Sequence, residues 1–209
     1  MAFLEKAFAK LVGNYGATER VEGTISEALR ALNGAPTFSF GIDSFRNPLD
    51  RQKIIQIFSE GETNKFPMGA SLVQESFSKL FIFRGDQTQD PTFRFKTHHM
   101  VVMGAITILA DGKEVNLIHL RNPWANFDYR GPYRQEDLFW TEEVKKQLPL
   151  EYTKYGSLYI DVDTFVDFFK SFTVSHYHES WMTSYNLGIQ PKAEIDENGM
   201  DTKTLEFNF

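Results

Sequence analysis

The stretch HMVVMGAITILADGKEVNLIHLRNPW, residues 99–124, decides the fold. Two apolar runs flank Asp111-Gly112. Asp-Gly in that setting signals a tight β-hairpin, because a type I′ turn needs positive φ at both central residues. From Val101 to Leu109 the first run is nearly continuous rather than alternating, which predicts a strand buried on both faces. That makes the hairpin the centre of an α+β domain, with antiparallel strands around it and short helices flanking it. Pro123 lacks the N–H a ladder requires and ends the second strand.

Folding the chain at residues 111 and 112 brings the residues before Met100 opposite those after Leu120. His98 and His99 therefore come near Asn122 and Trp124, more than twenty positions away in sequence. In strict two-residue register His99 shares a face with Asn122, since a slip of one residue exchanges the faces of a strand. His98 reaches that face only if the strand carries a bulge or an irregular end. An imidazole held by a carboxamide under an indole is half of a thiol protease site. The amide fixes the ring and its tautomer, the indole keeps water off their hydrogen bond, and the imidazole takes the proton of a nearby thiol.

Outward from the hairpin, the pattern alternates between helix and strand. Phe3, Leu4, Ala7, Phe8, Leu11 and Val12 form a helical stripe closed by Gly13. Thr24 and Glu27 make a capping box ahead of Ile25, Ala28, Leu29 and Leu32, and Gly34 stands where that helix stops. Phe38 and Phe40 alternate with small polar residues in a half-buried strand over 35–42. Pro48 opens a helix with Ile54, Ile55, Ile57 and Phe58 on one face, ending near Gly61. Strands are expected at 66–73 and 79–84, and a polar loop at 85–91. Ser157 to Ile160 reads as a strand, started off toward a helix by Asp161 and Asp163, whose carboxylates suit a helix N-terminus. That helix is expected over 163–172, with Phe165, Phe168, Phe169 and Phe172 inward. Asp196 to Gly199 reads as a turn and lacks the offsets of a helix-loop-helix calcium loop. His119, His176 and His178 have no partner that the sequence identifies.

Composition narrows the functional classes. The 209 residues include 20 Phe and no Cys. The aromatic content supplies a core without disulfides. The missing cysteine fits a reducing compartment, excludes a zinc-thiolate site and removes the commonest thiol nucleophile from this polypeptide. Net charge is −6 without a basic stripe, so nucleic acid and membrane surfaces are not expected as partners and other proteins are. No apolar run reaches the roughly 18 residues of a membrane span, and charges interrupt the N-terminal stripe where a secretory signal needs none. An intracellular soluble protein is the expectation.

From LEKAFAKLVGNY (4–15) through PMGAS (67–71), HHMVVMGA (98–105), LRNPWANFDYRGPY (120–133) and YGSLYIDVDTFVDFF (155–169), the chain resembles the second half of the protease core of calpains. These are papain-like cysteine proteases that depend on calcium. The RNPW run with Gly131-Pro132 beyond it is the specific part, and the match covers most of residues 3 to 175. The resemblance implies that His98 is the catalytic histidine, Asn122 the residue that orients it and Trp124 the residue that shields them. It implies a division into a helical lead-in from the end of the first lobe (1–34), a second protease lobe (35–175) and a C-terminal extension (176–209). The nucleophilic cysteine and the oxyanion donor belong to the preceding lobe and are not in this chain. Of the family's calcium ligands in this half, Asp128 keeps one carboxylate, while Gln135, Tyr155 and Ser157 replace acids. No cofactor is therefore expected, and Ala125 replaces the glycine usual after the tryptophan.

The resulting expectation is a non-catalytic calpain-like fragment that acts as a binding or scaffold module in a larger assembly, cytoskeletal or ciliary by analogy, with a protein partner covering its cleft face. The alternative is half of an active protease, its thiol lobe supplied by another chain or by upstream sequence.

Overall fold

The computed structural model describes residues 2–16, 24–85, 97–123, 127–148 and 156–180. All of these but Ser180 belong to one unit, Met1–Glu179. Two helices lead in: α1 (Ala2–Val12) and α2 (Ile25–Asn33). The capping box at Thr24 and Glu27 is made in both directions, and Gly34 closes α2 in the left-handed conformation at φ 67°, its N–H donating to the Arg30 carbonyl.

The chain then runs β1 (Thr37–Gly41), a 3-10 turn (Ile42–Phe45), α3 (Pro48–Thr63), β2 (Met68–Val73), α4 (Gln74–Leu80) and β3 (Phe81–Phe83). The long hairpin follows, β4 (Thr97–Ala110) and β5 (Lys113–Arg121), then β6 (Phe127–Tyr129) and α5 (Glu142–Lys145). It finishes with β7 (Ser157–Asp161), α6 (Val162–Phe168) and β8 (Ser171–Ser175). Six strands make one sheet in the order β1-β8-β2-β4-β5-β7, every neighbouring pair antiparallel, and β3 pairs with β6 separately. This is an α+β architecture.

The hairpin turn has Asp111 at φ 49° and Gly112 at φ 73°, as a type I′ turn requires. The strand expected to be buried on both faces is covered only in part: Val102, Ala105 and Ile108 of β4 are buried, while Val101, Met103 and Leu109 stand exposed, so burial largely alternates along it. One face of β4 and β5 contributes Met100, Val102, Ala105, Ile118 and Leu120 to the main core, packed against Ile54 and Phe58 of α3 and Phe165 of α6. The other face gives Ile108 and Leu117 to a second cluster roofed by Trp140 and Val144. No described helix is long and apolar enough to cross a membrane.

Two further expectations are corrected. The strand expected over 79–84 begins only at Phe81, because residues 74–80 form α4, held on its own surface by the Lys79–Glu75 pair at 3.1 Å. The helix expected over 163–172 stops at Phe168. Phe169 turns extended (φ −89°, ψ 154°), and Phe172 enters the core from β8, a strand wedged between β1 and β2. A phenylalanine every three or four residues satisfies helical periodicity, but the sheet offered Phe172 more burial than another helical turn could. Asp161 does cap α6, accepting from the Thr164 N–H at 2.7 Å, and Asp163 pairs with Arg51. Asp196 to Gly199 lies outside the described residues.

Candidate functional site

The site depends on one extra residue in β4. From the turn upward the hairpin pairs Ala110 with Lys113 and so on to Gly104 with His119; the next pair is Val102 with Leu120, and Met103 is left over as a bulge. The faces exchange there. On the turn side of the bulge Ala105 points into the main core, beyond it Met100 and Val102 do, and Val101 and Met103 stand exposed. Continuing the pairing past Val101 and Arg121 sets Met100 opposite Asn122, so His98, two residues on, shares the face of Asn122. Without Met103 that place belongs to His99.

Burial follows the register. His98 is 3% exposed and Asn122 2%, whereas Arg121 is exposed. His99 faces the other way, its Nδ1 3.0 Å from the Ser71 hydroxyl of β2. The main chain of Asn122 is fixed by its N–H, which donates to the Gly156 carbonyl at 2.8 Å. Gly156 sits at φ 81°, and a Cβ there would overlap the Asn122 carbonyl, so only glycine lets the two strands end so closely. Trp124, Ala125 and Tyr155 lie outside the described residues.

Two contacts to His98 come from α4, an element the sequence did not announce. Its Nε2 bonds the side-chain oxygen of Gln74, and Phe77 stacks on its ring with centroids 4.1 Å apart. An amide oxygen only accepts, so in this bond Nε2 is the donor. Phe77 in turn stacks on Phe81 and meets Phe127 edge-on. Neither Gln74 nor Phe77 stands near His98 in sequence. The only sequence signal for them was the amphipathic pattern of Phe77 and Leu80, too short to read.

Behind Asn122 lies a cavity of about 290 Å³, lined by Arg84, Asn122, Asp128, Tyr133, Gln135 and Ser157 among others. The positions that the calpain resemblance links to calcium gather here, and their chemistry does not fit a calcium ion. Hard cations take six to eight oxygens, several of them anionic. Here the Asp128 carboxylate accepts from Arg84 Nε at 2.6 Å, Gln135 is neutral, and the Ser157 hydroxyl bonds His119 Nε2. Among the described residues no group of three or more His, Cys, Asp or Glu could hold a metal ion. His119 stacks on Tyr159 at 4.5 Å, and burial pulls its pKa down to about 4. His176 also finds a partner, stacked on Phe66 at 4.6 Å, and His178 meets the same ring edge-on.

A histidine and an asparagine thus share one buried face, just past the end of β5 at Arg121. The family model described as calpain family cysteine protease matches residues 1–176.

The chain belongs to the calpain family of cysteine proteases.

Among curated calpains it is 28% identical to the calpain-1 catalytic subunit of Mus musculus over 143 residues, 68% of this chain and 18% of that protein. It is 26% identical to a calpain of Schistosoma mansoni over 200 residues, 94% of this chain and 24% of that protein. With calpain clp-4 of Caenorhabditis elegans it shares 26% over 177 residues, 82% of this chain and 22% of that protein. The chain thus spans no more than about a quarter of the length of the calpains it matches. This calpain-family chain contains no cysteine, and its cavity pairs Asp128 with Arg84.

Proposed function

We propose that this calpain-family domain is non-catalytic by itself and serves as a binding or scaffold module, with a protein partner over its cleft face. The observation that carries the reading is the state of His98. A thiol protease needs an imidazole that can reach a sulfur, and here it is 3% exposed, stacked under Phe77 and bonded to Gln74, in a chain without cysteine. The family positions proposed for His98, Asn122 and Trp124 are on this reading a retained scaffold rather than working machinery.

Uncovered apolar surface supports the partner. The helical stripes of α1 and α2, proposed to be the tail of a first lobe, leave Phe3 90%, Leu4 59% and Leu32 60% exposed. The purified chain should bind a hydrophobic dye, associate in solution or capture a partner, and should cleave no fluorogenic peptide. A monomer that binds no dye would remove the partner from the proposal. Cleavage by the chain alone, abolished by His98→Ala, would overturn the non-catalytic reading. A cytoskeletal or ciliary assembly is part of the same proposal, supported by the resemblance only. Diffuse staining of the tagged chain against tubulin counts against it.

A second reading rests on the bulge, which keeps His98 and Asn122 on a common face although no thiol is present. On this reading another polypeptide, or sequence upstream, supplies the nucleophile. Mixing the chain with a candidate thiol lobe and an active-site thiol label separates the two: a labelled thiol and peptide cleavage favour the second, and neither signal favours the first.

A further inference from the structure

The face exchange at Met103 raises the question of what holds the extra residue there. A bulge leaves backbone groups outside the ladder, and these must find partners or lose stability. On its other edge β4 pairs with β2 only as far as Val102, which stands opposite Met68, the first residue of β2. Among the described residues no strand continues along that edge beyond Val102. The last two turns of α3 occupy the place.

Two side chains of that helix reach this point: the Ala105 carbonyl accepts from the Ser59 hydroxyl at 3.4 Å, and the Glu62 carboxylate lies against Gly104 and the Ala105 amide. Gly104 makes the approach possible, since a Cβ there would overlap the Glu62 carboxylate and its Cβ. A carboxylate can accept from an N–H that a neighbouring strand would otherwise have satisfied, and it does so without the register a strand imposes. Other charged and titratable groups against this point are few. Tyr159 of β7 feels the Glu62 charge, and burial with that charge pushes its hydroxyl to about 12; burial likewise raises the Glu62 carboxyl, partly offset by the Ala105 amide.

We propose that Glu62 is the positioning residue of this site: by holding the Ala105 amide over a glycine gap it pins the bulge at Met103, and so decides that His98 rather than His99 is the histidine turned to the face of Asn122. The role is one of geometry, and it stands whether that face is a retained scaffold or half of a working protease.

The test is nuclear magnetic resonance on the full chain with Glu62→Ala and Glu62→Gln. In Glu62→Ala the Ala105 amide should exchange about tenfold faster, and the imidazole protons of His98 should lose the ring-current shift that Phe77 imposes. Glu62→Gln keeps an acceptor oxygen and should restore both signals. A folded Glu62→Ala with Ala105 exchange and His98 shifts unchanged overturns the proposal. Should Glu62→Ala not fold, the parent chain still decides: its Ala105 amide shift must follow one carboxyl titration that vanishes in Glu62→Gln, and a flat profile overturns the proposal. Cleavage of peptide with an added thiol lobe would defeat the non-catalytic reading and leave every one of these signals in place.

Discussion

Phe77 lies nearly flat on the imidazole of His98, the two ring planes 22° from parallel and their centroids 4.1 Å apart. Phe77 itself is 2% exposed and belongs to the main core. The histidine of this calpain domain is therefore part of the interior, and a change to its cover reports on both packing and access.

Phe77→Ala should cost about 3 to 4 kcal/mol of stability, since it removes a buried ring stacked against Phe81, Phe127 and His98. It should also open the imidazole to diethyl pyrocarbonate, which the parent excludes. Chemical denaturation and mass spectrometry of the modified histidine read the two effects. Unchanged modification with lost stability would mean that other groups cover His98.

Deleting Met103 restores the strict two-residue register and should turn His99 inward. The exposed methionine contributes little by itself, so the loss, roughly 2 kcal/mol or more, measures the register change. A deletion variant as stable as the parent would show that the bulge does not set the faces.

Calcium should leave the melting temperature of the chain unchanged within about 1 °C, because the described residues offer the cation no ligand set, and without native-state binding there is no linkage stabilisation. Arg84→Ala frees the Asp128 carboxylate in a cavity whose other acid is Glu136, still short of the anionic oxygens a calcium ion takes, so calcium should still have no effect. Both side chains of that pair are more than half exposed, and its loss should cost under about 1 kcal/mol. A calcium-dependent rise in melting temperature in the parent contradicts the reading of the cavity.

His119 sets part of the acid sensitivity. Its folded pKa, about 4, lies below the ordinary 6.5, so the native state binds fewer protons than the unfolded chain in that window. The stability it contributes is complete above pH 6.5 and is lost as pH falls toward 4. Solvent screening of a ring that is not fully buried limits the effect to about 1 to 2 kcal/mol. His119→Gln should flatten the stability profile between pH 6.5 and 4, and a profile as steep as the parent's would place the acid sensitivity elsewhere.

Legibility varied with the range of the interaction. Asp111-Gly112, the Thr24 and Glu27 box, Gly34 and Asp161 each act within a few residues, and each reads directly from the chain. Of the site, the sequence offered the hairpin, the Asn122-Pro123 stop and a choice between two histidines. It did not offer Gln74 or Phe77, because α4 is a single short helix whose place over His98 comes from β2 and β3 on either side. Nor did it offer β8, since the phenylalanines of 165–172 suit either periodicity until β1 and β2 present an open slot.

By itself, then, the sequence determined the hairpin, its turn, the helix caps and the absence of a thiol, because these depend on residue chemistry and neighbours within a turn or two. Only the tertiary structure decided which histidine enters the interior. That choice turns on one residue of slip at Met103, and the slip is held by α3, some forty residues away along the chain, through contacts that no local pattern records.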